Sequence, residues 1–503
     1  MSRNSLRLSA VLLTVLIVIV AFHAFDHLPS SVRAQIDAQR KALAAAQAQV
    51  AAAQQNITSQ EQANAALFRD LAPARQVPAR FGQVSGELQS AAQQMSELTN
   101  LEKDGHYNDR QRAQTLLASE RKLLDTARGQ IATIQSDVSG WIARAHNLPA
   151  EVERMDRSHH AVDAFDLAPL KTDVTRAETD WPAKKSDLDS RLASVTGLVT
   201  QADSLWQSTA AQRAQANKPP PDFDTGAFLT AADQLEADAA SLPKQAAELD
   251  TLTGQLYNSW DKVLVDMEER GHGEDRAYRQ KIRTINTRLA DATAKNGTVT
   301  SGEQWVTVSP ATYNAMRNDL GMAIEHKPAG KYDFEADRVP QPAGFAYMAP
   351  PSQGSNQYGY WDHRGGESFW VWYGQYALLR DLLFNHSYRP LPQSDWDGYR
   401  YSRDRGQTYY GRDYESQAPK YGTNGTTTQD RYAGSNYARN GGFRDSPYAS
   451  KPGGYRSSPY ASPGARNPDE DSSPRVFGRN HSAPRPSFRP PSGAGRRFGG
   501  RRR

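Results

Sequence analysis

Between Asp362 and His386 the chain carries residue types suited to hydrolytic chemistry: Asp362, His363, Glu367, Ser368 and His386 supply acid, base and nucleophile. Such a set acts only when its members meet at hydrogen-bonding distance in a pocket, and closeness in sequence does not provide that. No GxSxG, HExxH, Walker-type loop or dinucleotide fingerprint is present to organise them. His363-Arg364-Gly365-Gly366-Glu367 reads more simply as a turn that carries its charges outward. A second cluster, DRSHHAVDAFD, sets Asp156 and Asp163 one helical turn from the His159-His160 pair. Carboxylate and imidazole on one helix face could ligate a metal. The same spacing fits a solvated helix face, with His159 at a seam position near Val152 and Val162. Cysteine is absent, which removes thiol nucleophiles, CxxC redox chemistry, disulfides and Cys-type zinc sites. The expectation is a non-enzymatic protein with no catalytic, cofactor or metal residues.

Around the first cluster the chain concentrates aromatics: Tyr358, Tyr360, Trp361, Phe369, Trp370, Trp372, Tyr373 and Tyr376. On a helix, Phe369, Trp372, Tyr376, Leu379 and Leu383 would align, leaving an almost wholly apolar cylinder of the kind normally buried. The other reading is a strand over residues 367–373 that leads through Gly374 into a shorter helix. Either way the stretch reads first as the core of a small domain. It reads second as a partner-docking face anchored by Trp361, Trp370, Trp372 and Tyr376. Membrane-interface contact comes last, because flanking Lys/Arg clusters are missing.

The remaining sequence has to position these groups. Arg3 and Arg7 precede an uncharged apolar run over residues 8–25. Eighteen such residues cover about 27 Å as a helix, close to the hydrocarbon thickness of a bilayer. Residues 1–28 are expected to be a cytoplasmic stub and an uncleaved transmembrane signal anchor, with the rest translocated. Residues 29–217 read as an elongated antiparallel helical bundle or coiled-coil region. There Ile36, Leu43, Val50 and Ile57 recur every seven residues, with Gln39, Ala46, Ala53, Gln60 and Leu67 between them and Asn64 at one seam position. Phe81 to Leu98, Leu117 to Leu148 and Leu188 to Trp206 repeat steps of three and four, after breaks at Pro73, Pro78 and KDGHYND. Residues 218–224, KPPPDFD, form a linker, and residues 225–296 continue the helices, with Val263, Met267, Ile282, Ile285 and Leu289 on apolar faces.

From residue 297 to 390 the composition predicts a small α+β, aromatic-rich domain. Trp305 to Val308 reads as a strand, and Ser309-Pro310 opens a helix running through Met316, Leu320 and Ile324. Residues 391–503 nearly lack aliphatics and read as a disordered basic tail rich in Gly, Tyr and Arg. That tail holds 20 Lys+Arg against 10 Asp+Glu, a net +10, so the formal +4 of the whole chain leaves −6 on residues 1–390. Only 38% of residues are apolar, which excludes large compact cores throughout.

The fold expected is therefore mainly α, with an N-terminal transmembrane helix and the four regions above. The function expected is a single-pass envelope scaffold in the inner membrane, with most of the chain periplasmic. Its expected partners are the membrane through residues 8–25, further copies of itself through the helices, and anionic polymers or lipid headgroups through the tail. The alternative is a nucleic-acid-binding protein acting through that tail, which requires the tail to be cytoplasmic.

Overall fold

A computed structural model describes residues 27–444, apart from 272, 295, 415 and 416. The expected anchor over residues 8–25 and the tail beyond 444 lie outside the described residues. Among the described residues no helix is long and apolar enough to cross a membrane. The chain is mainly helical with a smaller antiparallel sheet region, and it divides into two compact units at Gly254/Gln255.

The first unit holds α1 (Ser30–Ala63), α2 (Ala65–Asp70), α3 (Val77–Asp104), α4 (Arg110–Ala145), α5 (Leu148–Asp163), α6 (Ala168–Asp180), α7 (Lys185–Ser208), α8 (Ala210–Gln215) and most of α9 (Thr225–Leu256). Runs of Ala, Gln, Leu, Glu, Lys and Arg favour these helices intrinsically, and their apolar stripes fix how they pack. In α1 the buried residues are Val32, Ile36, Gln39, Leu43, Ala46, Val50, Ala53 and Ile57, which is the heptad seam. It is covered within the chain by α3 and α4. Asn64 does not continue the seam; it ends α1, its backbone N–H and its side-chain amide both donating to the Gln60 carbonyl. Pro78 sits in the first turn of α3, where its missing N–H costs nothing. The antiparallel course of α3 and α4 is marked by Arg80 to Asp137 at 2.7 Å, Gln130 to Glu87 at 2.9 Å and the pair Arg112 to Glu97.

The second unit corrects the expectation of further helix after residue 256. Asn258–Arg270 is β1 and Ala277–Leu289 is β2, an antiparallel pair. Val263 and Met267 suit helical spacing, but the intervening Leu264, Val265 and Asp266 are buried as well, as in a strand covered on both faces. Gly297–Val308 is β3, as its Trp305 to Val308 segment predicts. Ser309 then caps α10 (Pro310–Ala315), accepting from the Thr312 N–H at 3.1 Å. That helix stops at Ala315, and Met322–Lys327 is not its continuation but strand β4. With β5 (Gln341–Pro342) the sheet order is β3-β2-β1-β4-β5, and a second sheet runs β6 (Gly359–Arg364), β7 (Glu367–Trp372), β8 (Leu391–Pro392). The strand reading of residues 367–373 holds, and the helical one does not: β7 gives way to α11 (Ala377–Leu383).

The unit also extends past Pro390, so the described residues between 391 and 444 are folded rather than part of a disordered tail. They form α12 (Gln393–Arg403), α13 (Thr426–Arg431) and α14 (Asn436–Arg439), and bury Trp396, Tyr399, Tyr421, Tyr432 and Phe443 in the common core. Aromatic edges meet faces throughout that core: Trp361 on Trp370 at 5.5 Å, Phe345 on Tyr421 at 5.3 Å, Tyr347 on Tyr358 at 4.8 Å. Each such pair adds about 0.5–1.5 kcal/mol beyond the area it buries.

Candidate functional site

The four residues expected to dock a partner are interior. Trp361, Trp370, Trp372 and Tyr376 are 5%, 0%, 6% and 0% exposed, and the Trp361 Nε1 donates to the Ala349 carbonyl at 2.8 Å. The large aromatics that do reach solvent are others, Phe334, Tyr401 and Tyr414 among them.

The β6–β7 hairpin brings part of the first chemical cluster together. His363 and Ser368 are cross-strand partners, and Nδ1 lies 2.6 Å from Oγ. The turn between them is Gly365-Gly366, both at positive φ, which a tight two-residue hairpin requires. Asp362 is held by Arg364 at 2.7 Å, and Glu367 points outward on the same tip. His386 belongs to a different turn, its N–H donating to the Asp381 carbonyl. The pair therefore sits on an exposed hairpin end, without a third member among the described residues.

In the first unit His159 stacks on Trp206 with ring centroids 4.5 Å apart and lies 3.2 Å from an Asp203 oxygen. Arg213 covers Trp206 at 3.2 Å from its ring centre. His160 is exposed. The imidazole is engaged by an indole and a carboxylate, and no group of three or more acidic, His or Cys side chains that could hold a metal occurs among the described residues.

A polar cluster that spacing could not reveal lies in the core of the second unit. His326 Nδ1 is 3.0 Å from Asp261 Oδ1, both side chains buried, and the Tyr347 hydroxyl donates to Asp261 Oδ2. Burial and the adjacent Asp261 carboxylate push the Tyr347 phenol well above its usual range. The partners are 65 residues apart in sequence and meet only because β1 pairs with β4. Their groups satisfy one another inside the core, which ties sheet register to polar pairing. Nearby, Lys327 is fully buried and donates to the Gln255 and Asn258 carbonyls, where burial lowers its ammonium to about 8.

Of the polar clefts on the second unit, one of about 480 Å³ lies by Glu268, Glu269, Arg317 and Tyr437, and two smaller ones share one wall residue, Arg431. The first of these two, about 250 Å³, is lined by Lys281, Arg283, Glu303, Asn385 and Asp266 as well as Arg431. Lys281 and Arg283 both pair with Glu303, at 2.5 and 2.6 Å. Arg283 also donates to the Leu382 carbonyl and to Asn385 Oδ1, so its fork is occupied. The three acceptor contacts of Asp266 go to backbone N–H groups of Met267, Asn436 and Tyr437. Asn385 and the following His386 both adopt positive φ, 49° and 59°, a conformation uncommon outside glycine. The second cleft, about 280 Å³, is lined by Arg389, Lys420, Thr426, Thr427, Asp413 and Asp430 with Arg431. Lys420 Nζ lies 2.5 Å from Asp395, which also accepts from the Tyr421 hydroxyl at 2.8 Å. Both clefts are assembled from residues distant in sequence, among them the segment read as tail, and no local motif marks them.

Comparison with protein-family models, with curated proteins and with solved structures gives no match.

Proposed function

We propose that this chain is a non-enzymatic, single-pass envelope scaffold. Residues 8–25 anchor it in the inner membrane, the helical region serves as spacer, and the aromatic unit and basic tail are presented outside the cytoplasm. The observation that carries this reading is the set of long helices with thin, Ala-containing seams. Helices of 34, 28 and 36 residues pack against one another, and the longest reaches about 54 Å at 1.5 Å per residue. Such an arrangement gains length from few apolar side chains. The residues best suited to catalysis support the same reading: His363 and Ser368 stand on an exposed hairpin, and His326 with Asp261 is closed inside a core. The tail beyond residue 444 is the proposed contact for anionic polymers or lipid headgroups, and self-association falls to helix faces outside the buried seams.

Protease accessibility of a C-terminally tagged copy tests the topology, in intact cells, in cells with a permeabilised outer layer, and after the inner membrane is opened. Digestion before the inner membrane is breached is the expected result. A tag protected until that membrane opens would invert the topology and make nucleic-acid binding by the arginine-rich tail the better account.

A further inference from the structure

Burial disfavours the Arg431 cation, and of its charged neighbours Asp430 favours it while Arg389 opposes it. Arg431 ends α13, its Nε is buried without a hydrogen-bond partner, and its guanidinium makes no hydrogen bond or ion pair among the described residues. Its guanidinium carbon lies 5.1 Å from the centroid of the Phe384 ring. The neighbouring carboxylate does not neutralise it by contact: Asp430 lies 3.8 Å from Arg389 instead. A buried guanidinium nitrogen without a partner is unfavourable, and an oxyanion that reaches Nε would satisfy it.

We propose that Arg431 is the central contact of an oxyanion-binding site in the second cleft. The first cleft is the poorer host, because Lys281 and Arg283 are already tied to Glu303 and the Arg283 fork has two further acceptors. In the second, Arg389 is 80% exposed with only the long contact to Asp430, so it is able to swing onto a ligand. Lys420 is already paired with Asp395 at 2.5 Å and adds no free charge, and Thr426 and Thr427 line the wall. Asp413 and Asp430 also face the cleft. Their carboxylates repel an anion, so binding there depends on the arginine fork and not on a net positive field. A planar guanidinium takes two oxygens of a phosphate, sulfate or carboxylate side by side. A cleft of about 280 Å³ falls below the ~300–1,000 Å³ typical of drug-sized ligands, which suits a single such group. The site needs neither the anchor nor the tail, so it stands or falls independently of the scaffold reading.

The test uses the full-length chain in neutral detergent, with thermal unfolding and calorimetric titration against inorganic phosphate and sulfate. Sodium chloride at matched ionic strength is the control. The expected result is a saturable rise in melting temperature beyond that control. Arg431→Leu keeps an apolar contact with Phe384 and should weaken binding by at least about tenfold. Arg389→Gln, at an exposed position, should weaken it by a smaller factor. Glycerol phosphate distinguishes the sources: a response to it but not to inorganic phosphate assigns the group to a lipid headgroup, and a response to both assigns it to the free ion. No response beyond the chloride control with any of these anions, or an equal response in Arg431→Leu, overturns the proposal. If the leucine variant fails to fold, an unchanged response in Arg389→Gln does so.

Discussion

Glu120 lies in the seam of α4 between Leu117 and Leu124, fully buried, and neither carboxylate oxygen has a hydrogen-bond partner. Burial alone pushes its carboxyl up from 4.5 to about 7. Between those two values the folded chain holds a proton that the unfolded chain has released. Stability therefore falls as pH rises from about 4.5 through about 7, the reverse of the usual paired carboxylate. At about 1.36 kcal/mol per pH unit, the ionised group destabilises the helical unit by up to about 3 kcal/mol above that window. Glu120→Leu should recover that amount at about pH 8 and little at about pH 5. For a unit of this size the gain corresponds to a melting-temperature rise of ~6–12 °C at the higher pH. Glu120→Gln retains the shape and still buries an unpartnered amide, so its absolute gain is smaller, but it should abolish the pH slope. Far-ultraviolet circular dichroism of the full chain follows the transition, since the long helices lie in this unit. An unchanged slope in Glu120→Gln would refute the reasoning, as would a leucine variant less stable than the parent at about pH 8.

Two further perturbations test packing and burial elsewhere. At Gly226 a Cβ would stand 2.2 Å from the Leu67 carbonyl oxygen and 2.7 Å from the Leu71 nitrogen, so Gly226→Ala must push α9 away from that segment. It should cost at least ~1–3 kcal/mol in urea unfolding, and a neutral result would mean the close approach is absent. In the second unit, burial raises the phenols of Tyr376, Tyr388 and Tyr399 from 10 to about 12. The unfolded chain loses these protons first, so stability drops as pH climbs from about 10 through about 12, by roughly 2.7 kcal/mol for each phenol. Tyrosinate absorbance and tryptophan fluorescence should change together in one alkaline transition; ionisation of these phenols near pH 10 with the fluorescence unchanged would contradict it.

The parts of the fold that sequence periodicity resolves are those where one face alone is buried. In α3 the buried positions Val77, Phe81, Val84, Leu88, Ala91, Met95 and Leu98 are the spaced apolar residues themselves, and the remaining positions are exposed or half-buried. The same logic failed at β1 and β2. There Val263 and Met267, or Ile282, Ile285 and Leu289, satisfy a helical spacing by coincidence while burial follows the sheet. Neighbouring charges hid the strand further: Lys281, Arg283 and Glu303 are exposed-looking residues in sequence but form a ladder of ion pairs across β2 and β3. Arg431 and the clefts had no local signal at all, since their walls come from separate stretches of the second unit.

The boundary at residue 390 failed for a different reason, and it leads to a decisive truncation. Scarcity of aliphatics suggests that a segment cannot bury enough apolar surface to fold. Residues 391–444 instead bury Trp396, Tyr399, Tyr421, Tyr432 and Phe443. Their polar ends are accommodated as well: Tyr421 donates to Asp395, Tyr399 to Gln341 and Tyr410 to Asp319. At about 1.5–3 kcal/mol for each large buried side chain, five of them contribute roughly 7–15 kcal/mol, as much as the whole stability of an ordinary domain. A chain ending at residue 390 should therefore lose the fold of the second unit, while one ending at residue 444 should keep it. Tryptophan fluorescence and proteolysis of the two truncations give the answer directly. A folded second unit in the shorter chain would show that the aromatic segment is a removable cover. Its loss would mean that any defect attributed to the basic tail has to be measured with a deletion that starts beyond Arg444, since an earlier cut also removes Arg431 and both clefts.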